Sequence, residues 1–289
     1  MATKTVTAYR RGAGMVSWRS VFKRSAELVT LVVLFLTIVG PMLGLVLWSV
    51  AIRWYWPGAL PQQVGLDYWR QALGLQRSLA VGAVSITDSL WTSILVAVIC
   101  VALTMLLAVP AGYALAKFNI PGKSFILFLF LMPMAFPQQP VFVALLSMFT
   151  RIDLSGKLSA VILVHLLVSM VFAVWISSSA FKSIPPELEE AARSVGASRL
   201  VAFLRVTLPL AIPGILASAV YVFLTSLDEF TGTFFVGLPF ITTLPMLLYS
   251  SSGSNLQFAS VIAIVLLVPS VLFMVLLQRF LKAEYIGGG

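Results

Sequence analysis

Charge is scarce in this chain. Of its 289 residues only 10% are Asp, Glu, Lys or Arg, against 60% hydrophobic, and the mean hydropathy is +1.02. A water-soluble core of this length cannot absorb that much apolar surface, so lipid is the solvent for most of the chain. Cysteine and histidine are scarcer still, with Cys100 and His165 alone. One thiol excludes an internal disulfide framework, and one thiol with one imidazole leaves almost no material for a metal site. No nucleophile–base set is evident either, which argues against an enzyme. Acids are outnumbered, 10 against 19 bases, for a net charge of +9. The bases flank apolar runs and form no stripe on a soluble domain, so nucleic acid is not an expected partner.

What the sequence does have is long apolar runs. Leu28–Ile52, Ser89–Ala116, Ser124–Thr150, Leu158–Phe181 and Val206–Leu227 carry no charged residue, and Phe230–Gln278 is long enough for two crossings or for one crossing and a loop. Each of the first five exceeds the roughly twenty residues a helix needs to span a bilayer. They show no strand alternation and are too long for barrel strands. The expectation is an all-α membrane protein with six transmembrane helices, at 25–52, 85–116, 124–149, 158–181, 210–236 and 258–278. Residues 1–24 hold six bases and no acid, which predicts a cytoplasmic tail. The run that follows is too long for a signal-peptide core and lacks a small-residue cleavage site, so it is read as a retained span. Fourteen of the 19 Lys and Arg fall on one side of this topology, which places both termini in the cytoplasm.

Several features lie on or between these spans. Trp54, Tyr55, Trp56, Tyr68 and Trp69 in the loop 53–84 suit an outer membrane interface. Gly122-Lys123-Ser124 looks like the end of a phosphate loop, but position 117 is lysine rather than the required glycine and no strand precedes it. This is therefore not a nucleotide site. Pro133 and Pro137 in the third span indicate either a packing kink or the lining of a pathway. His165 is open to a functional or an interhelical role. Asp228 and Glu229 are adjacent acids inside the fifth span. They attract a cationic solute, join an interhelix network, or cap a helix break near Gly232. The charge-free stretch 237–257 is expected to be an outer loop that dips toward the bilayer.

A charged island, Ser183–Pro209, interrupts the apolar pattern. Pro185 and Pro186 suit a first helical turn, Glu187, Glu189 and Glu190 place negative charge at the positive end of the dipole, and Gly196 sits where the helix stops. Glu189 and Arg193 are spaced to pair across one turn. Leu188, Ala192 and Val195 share a face, and small Ala191 and Ala192 allow close approach. Ser198 is an expected N-cap for a second helix that runs to a break at Leu208-Pro209. Taken alone, the island is equally well a solvated connector between two membrane helices.

Glu190-Ala191-Ala192, three residues, Gly196, nine residues and Val206-Thr207-Leu208-Pro209 resemble the EAA loop of bacterial ABC importer permeases, with Val206 at a position where that family has Ile. Asp88-Ser89-Leu90 is similar to the Asn-Ser-Leu opening of the permease core. His165 and Ser226-Leu227-Asp228-Glu229 are similar to the spermidine/putrescine-type branch, although Val171 stands where that branch has proline. The resemblance implies a six-span permease domain over residues 25–283, a coupling loop at 182–209 between spans four and five, and a C-terminal tail at 284–289. It implies that Glu190, Ala191, Ala192, Arg193, Gly196 and Pro209 serve the contact with an ATPase. Asp228, Glu229, His165, Pro133 and Pro137 become candidates for the translocation pathway. The implied partners are two ATPase subunits carrying ATP and Mg, a second homologous permease forming a heterodimer, and a periplasmic binding protein, all at the bacterial inner membrane.

The expected function is then a non-enzymatic transport subunit for a polyamine-like solute. The same branch also includes opine, phosphonate and iron carriers. The rival class is an ion-coupled secondary transporter with Asp228, Glu229 and His165 as its relay; six spans without an internal repeat argue against it.

Overall fold

The computed structural model describes residues 18–55, 57–75 and 85–286, with side chains described over 26–55, 57–75 and 85–275. Most of the basic tail, Trp56, Arg77 and the last three residues lie outside the described residues, as do the side chains of Arg279 and Lys282. Residues 1–45 and 46–289 are separate compact units. The first contains most of helix α1 (Trp18–Val50), which begins inside the expected cytoplasmic tail and carries Pro41 in its interior.

In the second unit, β1 (Ala51–Arg53) and β2 (Gln63–Val64) pair antiparallel, a small exception to the all-helical expectation. Helix α2 (Asp67–Ala72) leads to α3 (Ile86–Lys117), whose N-cap Ser85 accepts from the Thr87 N–H at 3.2 Å. The aromatic loop packs on its neighbours. Trp48 stacks on Trp54 at 4.4 Å, the Trp54 indole donates to the Gly58 carbonyl at 2.8 Å, and Tyr68 and Trp69 cover a cluster containing Ile86, Leu244 and Ile262.

The third apolar run is not one straight span. It forms α4 (Lys123–Ala135) and α5 (Gln138–Arg151), bent by 94°. The cause is local: Pro137 forces Phe136 out of the helical region, to φ −91° and ψ 146°, and Pro133 has already removed a donor from the last turns of α4. Among the described residues, five helices are long and apolar enough to cross a membrane, or up to six if the bent pair counts as one span.

Helix α6 (Leu158–Lys182) is followed by α7 (Pro186–Ser194), α8 (Arg199–Ala202) and a π turn (Phe203–Thr207) that runs straight into α9 (Leu208–Asp228). The break that the sequence predicts at Leu208-Pro209 does not occur. Proline at 209 cannot donate to the Arg205 carbonyl and its ring would crowd it. The wider π turn absorbs the conflict, with the Leu208 N–H reaching back to the Phe203 carbonyl.

The fifth span also ends early, since α9 stops at Asp228 and α10 (Thr231–Gly237) starts afresh. The expected outer loop contains α11 (Leu244–Ser252), with Leu244, Pro245, Met246 and Leu247 buried. Helix α12 (Leu256–Ile286) continues past residue 283 into the expected C-terminal tail.

The core forms where α3, α6 and α9 lie against one another. Small residues set the spacing. A Cβ added at Gly112 of α3 would meet the Ser177 Cβ at 2.7 Å and the Ser178 backbone nitrogen at 2.8 Å, so glycine is what lets α3 and α6 touch. Val96, Val161, Val164 and Val236 fill one end of this packing, and Ala108, Ala173, Val174 and Val222 the other.

Candidate functional site

Two regions gather the polar chemistry that the apolar runs exclude. The first is the island around α7. Pro186 occupies the first helical turn beside Glu187 and Glu189, and none of the helix's residues is buried. Its C-terminus closes by two bonds, from the Gly196 N–H to the Arg193 carbonyl at 3.0 Å and from the Ala197 N–H to the Ala192 carbonyl at 3.1 Å. That closure needs the left-handed backbone at Gly196, whose φ is +97°. Ser198 then caps α8, accepting from the Val201 N–H at 3.3 Å.

Glu189 does not pair with Arg193. One carboxylate oxygen, Oε1, accepts from the Tyr113 hydroxyl of α3 at 2.8 Å, and the other, Oε2, from the Thr207 hydroxyl of the π turn at 3.1 Å. Glu190, Ala191 and Arg193 face outward, whereas Ala192 is half-buried. Leu188, Val195 and Leu200 are exposed apolar residues around them, with Val195 87% accessible. A cleft of about 460 Å³ opens between the end of α3 and this island, lined by Tyr113, Lys117, Glu189, Glu190, Arg193 and Arg199 among others. Lys117, the last residue of α3, donates from Nζ to the Ile184 carbonyl at 2.7 Å. Pro209 lies in the first turn of α9, beyond this cleft.

The second region is the interruption between α9 and α10. Asp228 is exposed at the end of α9, while the next residue, Glu229, is only 9% accessible. The Glu229 side chain turns back on its own chain, with Oε1 accepting from the Gly232 N–H at 2.6 Å. The backbone here is free of the helical ladder, and the acid supplies an acceptor that lipid cannot. His165 of α6 is 1% accessible and holds both sides of the interruption. Its Nδ1 lies 2.8 Å from the Ser226 Oγ of α9, and its Nε2 lies 2.7 Å from the Thr233 Oγ1 of α10. Thr233 donates its own proton to the Glu229 carbonyl at 3.3 Å. A neutral imidazole gives one proton and accepts one, so His165 donates to one of these hydroxyls and accepts from the other.

His165 and Glu229 thus belong to one network, and Asp228 stands beside it. The two prolines lie elsewhere. Pro133 lines a separate cavity of about 240 Å³ with Gln138, Leu167 and Val171, and Pro137 opens α5. Tyr113 and Thr233 escape a reading of the sequence, because single hydroxyls in apolar runs carry no spacing signal, and Thr207 and Ser226 appear there only as members of motifs, with no role of their own. Among the described residues no group of His, Cys, Asp and Glu could hold a metal ion.

Both regions fall within residues 108–286, which match the family described as binding-protein-dependent transport system inner membrane component. The chain is 31% identical over 207 residues to SmoH, a sulfoquinovosyl glycerol transport system permease protein of Agrobacterium fabrum, covering 69% of this chain and 72% of that one. It is 27% identical over 262 residues to PhnV of Salmonella typhimurium, named for 2-aminoethylphosphonate transport, covering 90% and 95%. Its fold resembles a chain of a bacterial ABC transporter that imports alginate, with a TM-score of 0.68 at 18% identity over 95% of this chain and 99% of that one. This chain therefore belongs to the family of binding-protein-dependent transport system inner membrane components, as the multi-pass permease component of an ABC importer.

Proposed function

We propose that this chain pairs with a second, non-identical permease to form a pathway for a small solute, delivered by a periplasmic binding protein and driven by two ATPase subunits that bind ATP and Mg. Both termini and α7 then face the cytoplasm. One observation carries the reading: α7 is a distinct helix, closed at its C-terminus by the turn at Gly196, that buries none of its residues and is flanked by the exposed apolar side chains Val195 and Leu200. A helix of nine residues gains little from its own propensity and needs a covering surface to be worth building. In this role Glu190 and Arg193 meet polar groups of the ATPase, Ala191 and Ala192 let it approach, Gly196 makes the turn, and Pro209 sets the head of α9.

For the pathway, the geometry separates the candidates. Glu229 and His165 are consumed by the interruption they hold together, which leaves Asp228 as the acid free to meet a solute. One available carboxylate supports a solute that carries an ammonium group. A polyamine is the expectation from sequence, and the relatives named for sulfoquinovosyl glycerol and 2-aminoethylphosphonate widen the choice. The relay of Asp228, Glu229 and His165 gains no support, since neither ring nitrogen is hydrogen-bonded to either carboxylate.

Affinity purification of the tagged chain from its native membrane tests the coupling reading. The ATPase should copurify with the parent and be lost from Gly196→Asp, which should still insert; retention of the ATPase by that variant overturns the reading. Thermal shift of the neighbouring binding protein against amines, sugars and phosphonates tests the solute.

A further inference from the structure

We propose that Glu189 is a positioning residue for energy coupling, a strut that ties α7 to α3 and to the π turn at the head of α9, so that a displacement of α7 reaches two spans together. The proposal rests on the reading of α7 as the ATPase contact. A carboxylate is acceptor-only with two oxygens, so it holds two hydroxyl donors from different helices at once; an amide would turn its own donors toward one of them. Here the donors are Tyr113 at 2.8 Å and Thr207 at 3.1 Å.

Neither donor is loose. The Tyr113 ring packs against Phe203, Phe181 and Phe118, with centroids at 4.6, 5.3 and 5.7 Å. Thr207 is fully buried. When α7 moves, these side chains cannot swing along with it, so the backbone behind them must follow or the bonds must break. Thr207 closes the π turn, where the hydrogen-bond ladder is wider than in the α-helix that follows. The strut therefore pulls on α9 at its head, where the ladder is already widened. Among the described residues, no other side chain of α7 is hydrogen-bonded to a different helix.

Thr207→Val keeps the shape of this buried residue and removes its donor, whereas Thr207→Ser keeps the donor. Each is placed in the assembled importer with Phe240→Cys as a reporter. Phe240 lies 79% exposed in the outer loop, and the chain's native thiol, Cys100, is buried. The measurement is the labelling rate by a membrane-impermeant maleimide, with and without ATP plus vanadate, alongside ATP hydrolysis and ATPase copurification. With the native strut, ATP plus vanadate should change the rate at least about fivefold. Thr207→Val should reduce that response to under about twofold while ATPase binding and hydrolysis persist, and Thr207→Ser should restore it. A Thr207→Val protein that responds like the parent overturns the strut. So does one that loses its ATPase, because Glu189 would then only be shaping the docking surface. Failure of the parent to retain an ATPase would instead sink the coupling reading itself.

Discussion

Helix α7 and the interruption between α9 and α10 both concentrate acids in a chain with few of them, yet they treat those acids in opposite ways. Around α7 the acidic residues Glu187 and Glu190 are exposed, and the helix buries nothing. At the interruption Glu229 is buried and folded back on a backbone N–H, in a network that His165 extends to two helices. In water an acid is free to serve a partner. Inside the bilayer it must first satisfy the backbone it interrupts. Charge at the two places is therefore weighted differently: mostly exposed at α7, where Glu189 is the acid tied to other helices, and built into the backbone at the interruption by Glu229, where Asp228 stays exposed.

The sharpest way to break this contrast is Glu229→Ala. It leaves the Gly232 N–H without an acceptor in a dry setting, and the detergent-solubilised protein should lose about 2–3 kcal/mol of thermal stability. Glu229→Gln retains an acceptor and should melt close to the parent. If Ala and Gln behave alike, Glu229 is not building the interruption. His165→Leu comes next, since it removes two hydrogen bonds and leaves Ser226 and Thr233 facing apolar atoms, for about 2 kcal/mol by the same measurement.

At α7 the expectation reverses. Gly196→Asp should cost only about 1 kcal/mol, from placing a side chain at a left-handed backbone position, because nothing lies within 4 Å of a Cβ there. Uptake should nevertheless be abolished. A large fall in melting temperature would mean that α7 supports the fold after all. Smallest of all is the exposed pair of Lys157 and Asp153, at 2.7 Å in the loop between α5 and α6. Lys157 holds the Asp153 carboxyl below its ordinary range. Whatever the pair supplies is present at and above that range and is lost only as the pH falls through the lowered value. Lys157→Ala should therefore shift melting by the same small amount at every pH from 6 to 8, small because the pair is exposed to solvent.

The legibility of these regions in the sequence differs for the same physical reason. Helix α7 is readable because its signals are local: prolines at its start, acids in its first turn and glycine at its stop all lie within a few residues of the backbone they act on. The partners of Glu189 are unreadable because Tyr113 lies 76 residues away on another helix, brought near only by packing. Prolines at 133 and 137 announce a local break, but proline admits more than one backbone path there, so a bend of 94° is not readable from residue type. At positions 228 and 229 both acids are visible, and which one faces inward follows from the angle at which α9 ends. Helix α11 is hidden for a different cause. Its stretch lacks charge and is rich in serine, which reads as a loop until neighbouring apolar side chains cover Leu244 and Leu247.

Lys117 has a consequence for how the protein comes to exist at all. In the proposed orientation it is among the cations that retain the cytoplasmic side during insertion, before any tertiary contact has formed. In the finished molecule the same ammonium is spoken for by the Ile184 carbonyl, at the approach to α7. A topological signal used at birth is thus retired into the framework of the adult protein, and replacing it would be felt twice, first by the insertion machinery and later by the loop it fastens.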